Sequence, residues 1–133
     1  GGNPLACVAS LATIDLIEKE YLRNAAEMGD YLQDALCEIM ARHPAIGDGR
    51  GIGLMIGVEF IQNHHSKEPD HDLRKRVVYL AFERGLLTLG CGKSTIRFCP
   101  PLNISRHEID DGLRIFEEAV SLAEKGVEPS VAA

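Results

Sequence analysis

Arg97 is the residue in this chain best placed to do chemistry. It stands in Gly92-Lys93-Ser94-Thr95-Ile96-Arg97-Phe98-Cys99-Pro100-Pro101-Leu102. Thr95, Ile96 and Phe98 are strand formers, and the two prolines, which lack an N–H donor, end any ladder. An arginine there lies on a solvated sheet face, as most arginines do, or projects into a site that needs a fixed cation. Its planar fork matches a carboxylate bidentately, so the second case implies an acidic ligand. The other chemistry-bearing groups are weaker. Gly90-Cys91-Gly92-Lys93-Ser94 suggests a phosphate loop, but Leu87 stands where the first glycine belongs and a strand follows instead of a helix; a tight hairpin turn is expected. His64, His65 and His71, near Asp70 and Asp72, lack metal-ligand spacing and read as solvated loop residues, so no metal site is expected. Cys7, Cys37, Cys91 and Cys99 form no CxxC pair and read as free thiols in a reducing cytoplasm, with Cys91 and Cys99 packed because no evident base activates them. No Ser/His/Asp pattern is recognisable. Asp110-Asp111 and Glu117-Glu118 read as the wet face of a helix.

The elements that must position Arg97 follow from periodicity. Asn3-Pro4 is a helix start, with Asn as N-cap and Pro in the first turn. Leu5 to Ile17 is then apolar nearly all round, a helix that expects burial on several sides and so implies a covering surface elsewhere. From Leu22 the stripe Leu22, Ala25/Ala26, Gly29, Leu32, Leu36, Ile39/Met40 predicts an amphipathic helix closed by Arg42-His43-Pro44. Gly47 to Arg50-Gly51 reads as a turn into one strand with Ile52, Leu54, Ile56, Val58 and Phe60 on its core face and glycines opposite, able to accept a close neighbour. Gln62 to His71 is a polar loop. Leu73, Val77, Leu80 and Ala81 mark a third helix with Gly85 at C′. Leu86–Leu89 and Thr95–Cys99 read as strands around a Gly90–Ser94 turn. Ser105-Arg106-His107-Glu108 is a capping box, stapled by Ile104 and Ile109, and opens a last helix facing inward with Ile109, Leu113, Phe116 and Val120.

The order helix, helix, strand, helix, strand, strand, helix predicts an α+β domain: a small sheet of about three strands with helices on one face. With 133 residues, 45% of them hydrophobic, the chain holds one domain with a real core. The domain is expected over 1–126, with 127–133 a frayed tail. A net charge of −6, no tryptophan and 5% aromatics argue against nucleic acid and acidic membrane surfaces as partners. No signal peptide opens the chain and no apolar run of about 18 residues occurs, so a cytoplasmic, membrane-free protein is expected. Gly1-Gly2-Asn3-Pro4, with no start methionine, reads as a fragment boundary.

Four ordered segments also resemble the C-terminal region of class III pyridoxal-phosphate aminotransferases. They are Gly1-Gly2-Asn3-Pro4-Leu5-Ala6-Cys7, Arg50-Gly51-Ile52-Gly53-Leu54-Met55-Ile56-Gly57-Val58-Glu59-Phe60, Glu83-Arg84-Gly85-Leu86-Leu87 and Ser94-Thr95-Ile96-Arg97-Phe98-Cys99-Pro100-Pro101-Leu102. The turn before the last strand is most similar to 4-aminobutyrate aminotransferases, with acetylornithine or ornithine aminotransferase next. The resemblance implies the small C-terminal domain of a fold-type-I dimer, with residues 1–20 packing on a large domain. The parent enzyme would pass an amino group from 4-aminobutyrate or a related ω-amino acid to 2-oxoglutarate on pyridoxal 5′-phosphate, so amino and keto acids are its small-molecule partners. The position of Arg97 implies a salt bridge to the substrate carboxylate. The residues that hold the cofactor would precede Gly1. This chain alone is therefore expected to bear no catalytic residue, to bind no cofactor, to be inactive, and to self-associate through Leu5–Ile17. The alternative is a non-enzymatic acid-binding or dimerisation domain using the same arginine.

Overall fold

The computed structural model describes residues 2–130. Helix α1 (Pro4–Leu16) begins where the Asn3 side chain accepts the Leu5 N–H at 3.0 Å. It runs through a π-helical turn, Ile17–Tyr21, directly into α2 (Leu22–Arg42). The two expected helices are thus one continuous rod. The wider π turn rotates the faces on either side of it relative to each other. No residue of α1 is buried; Leu5, Val8 and Leu11 are 78%, 64% and 66% exposed. Only beyond the π turn does the predicted stripe reach the core, through Gly29, Leu32, Leu36 and Ile39. Leu22, expected on that stripe, is exposed.

The sheet is antiparallel, with four strands ordered β1 (Ile46–Ile52), β2 (Met55–Phe60), β4 (Thr95–Phe98), β3 (Leu89–Cys91). The fold is α+β, as expected, with one strand more than the count of about three. The expected single strand Gly51–Phe60 is a hairpin: Ile52 pairs with Met55 across Gly53-Leu54. Its two-residue loop has a positive-φ glycine first (Gly53, φ +53). Gly51 therefore lies in β1 and not in a turn, and Ile52, expected on the core face, is 91% exposed while Leu54 is buried. The glycines expected opposite the core face part company: Gly57 lies on the sheet face turned away from the helices, and the close neighbour is taken at the hairpin tip. An ideal Cβ on Gly29 of α2 would lie 2.4 Å from the Gly53 carbonyl carbon, so helix and hairpin tip meet glycine to glycine.

Helix α3 (His71–Glu83) starts at Asp70, whose carboxylate accepts the Leu73 N–H, and ends with Gly85 at φ +91, as its C′ role requires. Leu86 to Thr88 run outside the sheet, and Gly90 and Cys91 belong to β3, so the hairpin turn is Gly92 to Ser94. Helix α4 (Arg106–Glu124) carries the complete Ser105–Glu108 capping box. The core lies between one sheet face (Ile56, Val58, Phe60, Ile96) and α2, α3 and α4, with Phe98 and Phe116 edge to face at 5.0 Å.

The acidic pairs of α4 are more than a wet face. Tyr31 bonds Asp110, Arg42 bonds Glu117 at 2.7 Å, Arg84 bonds Glu118 at 3.0 Å, and buried His43 lies 2.7 Å from Glu124. These pairs tie α4 to α2 and α3. Beyond Gly126 the Val127 N–H bonds the Leu122 carbonyl and Glu128 pairs with Arg76 at 3.3 Å. The rest of the expected tail, 131–133, and Gly1 lie outside the described residues. Among the described residues no helix is long and apolar enough to cross a membrane.

Candidate functional site

Pairing register decides which side chains share the face turned away from the helices. Arg97 pairs with Gly57 on one side and Leu89 on the other, and Gly57 pairs in turn with Arg50. One cross-strand row therefore reads Arg50, Gly57, Arg97, Leu89, all on the open face because strand side chains alternate. The next row along that face holds Asp48, Glu59, Thr95 and Cys91. With no side chain on Gly57, the floor between the two arginines is backbone flanked by the Thr95 methyl group, 3.1 Å from where a Cβ would sit.

The two arginines differ in electrostatics. Arg50 is held by Asp48 and by Glu59 at 3.2 Å. The Asp48 hydrogen bond first, then that to Glu59, raises its pKa further above the ordinary arginine value. Arg97 is exposed and, among the described residues, makes no hydrogen bond or ion pair. It is a cation on a strand paired on both sides, with no internal counter-charge, and its fork is open to an incoming carboxylate. Arg50 was not expected in this row, because its glycine-rich surroundings suggested a turn. The alternation of Gly47, Gly49 and Gly51 with Asp48, Arg50 and Ile52 was the available strand signal.

A cavity of about 180 Å³ adjoins Arg97. The β3–β4 ladder stops at Leu89 and Arg97, and beyond it the segment 86–88 parts from 98–100. The gap is walled by those segments, by Ile104 and by the first turns of α4.

The remaining candidates separate. Lys93 is exposed on the hairpin turn, and Ser94 is buried. His64, His65 and His71 are exposed, and His71 opens α3 beside Asp72 at 3.4 Å. Cys99, expected to be packed, is exposed, because β4 ends before it and no strand covers it; Cys91 is half-buried.

The chain matches the family model described as aminotransferase class-III over residues 1–120. The chain belongs to the class III aminotransferase family. It is 40% identical over 126 residues to isoleucine 2-epimerase of Lentilactobacillus buchneri, covering 94% of this chain and 28% of that protein. It is 37% identical over 127 residues to 4-aminobutyrate aminotransferase of Escherichia coli, covering 93% and 30%. A solved Bacillus anthracis aminotransferase superposes with a TM-score of 0.86 at 35% identity, over 91% of this chain and 29% of that one. The chain thus spans less than a third of the length of these class III relatives.

Class III aminotransferases depend on pyridoxal phosphate. The described residues of this chain do not make a site for it. All five lysines (Lys19, Lys67, Lys75, Lys93 and Lys125) are exposed, and Lys19 is paired with Asp15 at 3.1 Å. None is buried where desolvation could activate an amine for Schiff-base chemistry. The open sheet face with its unpaired arginine is the candidate site among the described residues.

Proposed function

We propose that this chain is the C-terminal domain of a pyridoxal-phosphate-dependent amino-group transferase in which Arg97 holds the substrate carboxylate. The observation that carries the reading is the contrast within one row: Arg50 is neutralised by two carboxylates and Arg97 by none. A carboxylate on Arg97 fixes the orientation of the reacting carbon, and orientation of this kind contributes several kcal/mol to a rate. The arginine moves no proton. The cofactor, which supplies the electron sink when bound, is held by residues outside this chain, so the chain alone turns over no substrate. In the whole enzyme α1 packs on the large domain, which covers its apolar surface, and the enzyme is a homodimer. Its substrates are 4-aminobutyrate or a related ω-amino acid and 2-oxoglutarate, with acetylornithine or ornithine as the alternative donor.

Steady-state kinetics of the whole enzyme test this. Arg97→Ala leaves a charge unpaired, a change that typically costs ~2–5 kcal/mol, hence roughly 30- to 4,000-fold in kcat/KM for 2-oxoglutarate. Amino donors without a carboxylate lose much less. Arg97→Lys keeps the charge, loses the fork and is also impaired. Wild-type kcat/KM in both variants would reduce Arg97 to a surface strand residue.

A second reading has support in the relatives. Isoleucine 2-epimerase and the leucine/methionine racemase of Thermococcus litoralis are 40% and 39% identical to this chain. Under this reading Arg97 would hold the carboxylate of an aliphatic amino acid during inversion. Solvent-hydrogen exchange at the α-carbon without any keto acid separates inversion from transfer.

A further inference from the structure

The cavity next to Arg97 contains a residue that packing does not explain. Gly112 lies in the interior of α4 (Arg106–Glu124) and lines the cavity. Glycine is the poorest helix former after proline. A Cβ at this position would meet only Leu86 Cδ1, at 3.7 Å, an ordinary van der Waals distance. Neither backbone conformation nor a close neighbour therefore demands glycine here. What its bare Cα does is leave room.

The rest of the wall is chemically definite. Leu32, Leu86, Phe98 and Leu113 make it apolar, and Arg97 stands at its edge where the ladder ends. Thr88 Oγ1 is buried on the same wall without a hydrogen-bond partner. Glu108, the one acidic group on the wall, is committed to the Ser105 cap through two hydrogen bonds of 2.8 and 2.7 Å. It does not neutralise Arg97. The site thus joins an unpaired cation to a largely apolar pocket of about 180 Å³. A cavity of ~150 Å³ lined by such residues holds a benzene-sized molecule, so this one fits four to six carbons by the same measure.

We propose that this cavity receives the aliphatic tail of a carboxylic acid whose acid end is held by Arg97, with Gly112 setting the length of tail admitted. The ligand class is a short-chain aliphatic monocarboxylate or the corresponding amino acid. The inference rests on the carboxylate role proposed for Arg97 and adds the apolar half of the site. Each carbon buried contributes about fourfold in affinity.

The test is calorimetric binding of acetate and of 4-methylpentanoate, both unreactive, to the intact protein. The wild type is expected to bind 4-methylpentanoate at least about tenfold more tightly than acetate. Arg97→Ala weakens both acids. Gly112→Leu fills the cavity and abolishes the preference while acetate binds as before. Gly112→Ala fits the space, holds or raises the melting temperature and reduces the preference about fourfold. If both Gly112 variants keep the wild-type preference, or the wild type shows none, the cavity is not the tail site, whereas the loss in Arg97→Ala would leave the carboxylate reading standing. If Arg97→Ala binds both acids normally, the carboxylate reading falls and this inference falls with it.

Discussion

Arg97 and Arg50 are the same residue type on the same sheet face, yet only one is available to a ligand. The difference is made by Asp48, two residues before Arg50 on the same strand, and by Glu59, which the β1–β2 register brings beside it. A guanidinium with two internal carboxylates is a structural brace; one with none is left open to a ligand. The other residue with a sharp role is Gly29. Its ideal Cβ would sit 2.4–2.5 Å from the Gly53 backbone carbonyl carbon, Cα and oxygen, and backbone cannot yield as a side-chain tip can. Gly29→Ala is therefore expected to destabilise by about 1–3 kcal/mol, as overpacking does, despite alanine's higher helix propensity. Chemical denaturation checks it: an unchanged or raised midpoint would mean that the helix and hairpin move apart freely.

Helix α1 is the element that this chain does not complete. It is apolar nearly all round, it contributes nothing to the core, and it shares a continuous rod with α2 across the π turn. Rod continuity leaves it projecting from the domain instead of folding back over the sheet. In water the isolated chain is expected to hide Leu5, Val8 and Leu11 by self-association. Light scattering of the isolated chain should give a mass above that of one copy at micromolar concentration. Leu11→Glu, at a position 66% exposed, should shift it toward a monomer without lowering the melting temperature. Equal masses for the two proteins would show that α1 is not the associating surface. The open face of the sheet is the second incomplete element, with Ile52, Met55 and Leu89 exposed around the arginine row.

At the scale of the whole molecule, α4 is joined to α2 by charged pairs as well as by the core. Arg42 donates to Glu117 at 2.7 Å, and His43 lies 3.6 Å from the same carboxylate and 2.7 Å from Glu124. The hydrogen bond from Arg42, opposed by desolvation, lowers the Glu117 pKa below its ordinary 4.5. A carboxyl whose folded pKa is depressed contributes stability in full above its unfolded value and loses it as pH falls through the folded value. Thermal unfolding should therefore show the Glu117 contribution intact at neutral pH and declining as pH drops below 4.5. Glu117→Gln should be less stable than wild type near neutrality, with the gap closing in acid. A gap independent of pH would mean that the Arg42 bond carries no weight. Glu117 is about one-third exposed, so solvent screening keeps the effect modest.

Much of this was legible in the sequence because it is local. Asn3-Pro4, Ser105-Arg106-His107-Glu108 and Gly85 mark helix ends through interactions within a few residues, and the stripes of α2, α3 and α4 follow from helical period alone. Arg97 was visible too, because a cation among strand formers before two prolines is a local pattern. The hairpin at Gly53-Leu54 was not, since apolar residues at 52, 54, 56, 58 and 60 keep period two straight through the turn. What required the tertiary structure is whatever depends on distant residues meeting. Arg42 and Glu117 are 75 residues apart, so the acidic pairs of α4 looked merely wet. Whether an arginine is braced or free depends on its cross-strand neighbours, which spacing along the chain does not specify. Sequence by itself determined the α+β class and the arginine; only the folded register decided that Arg50 is spent, that Arg97 is open, and that a cavity lies beside it.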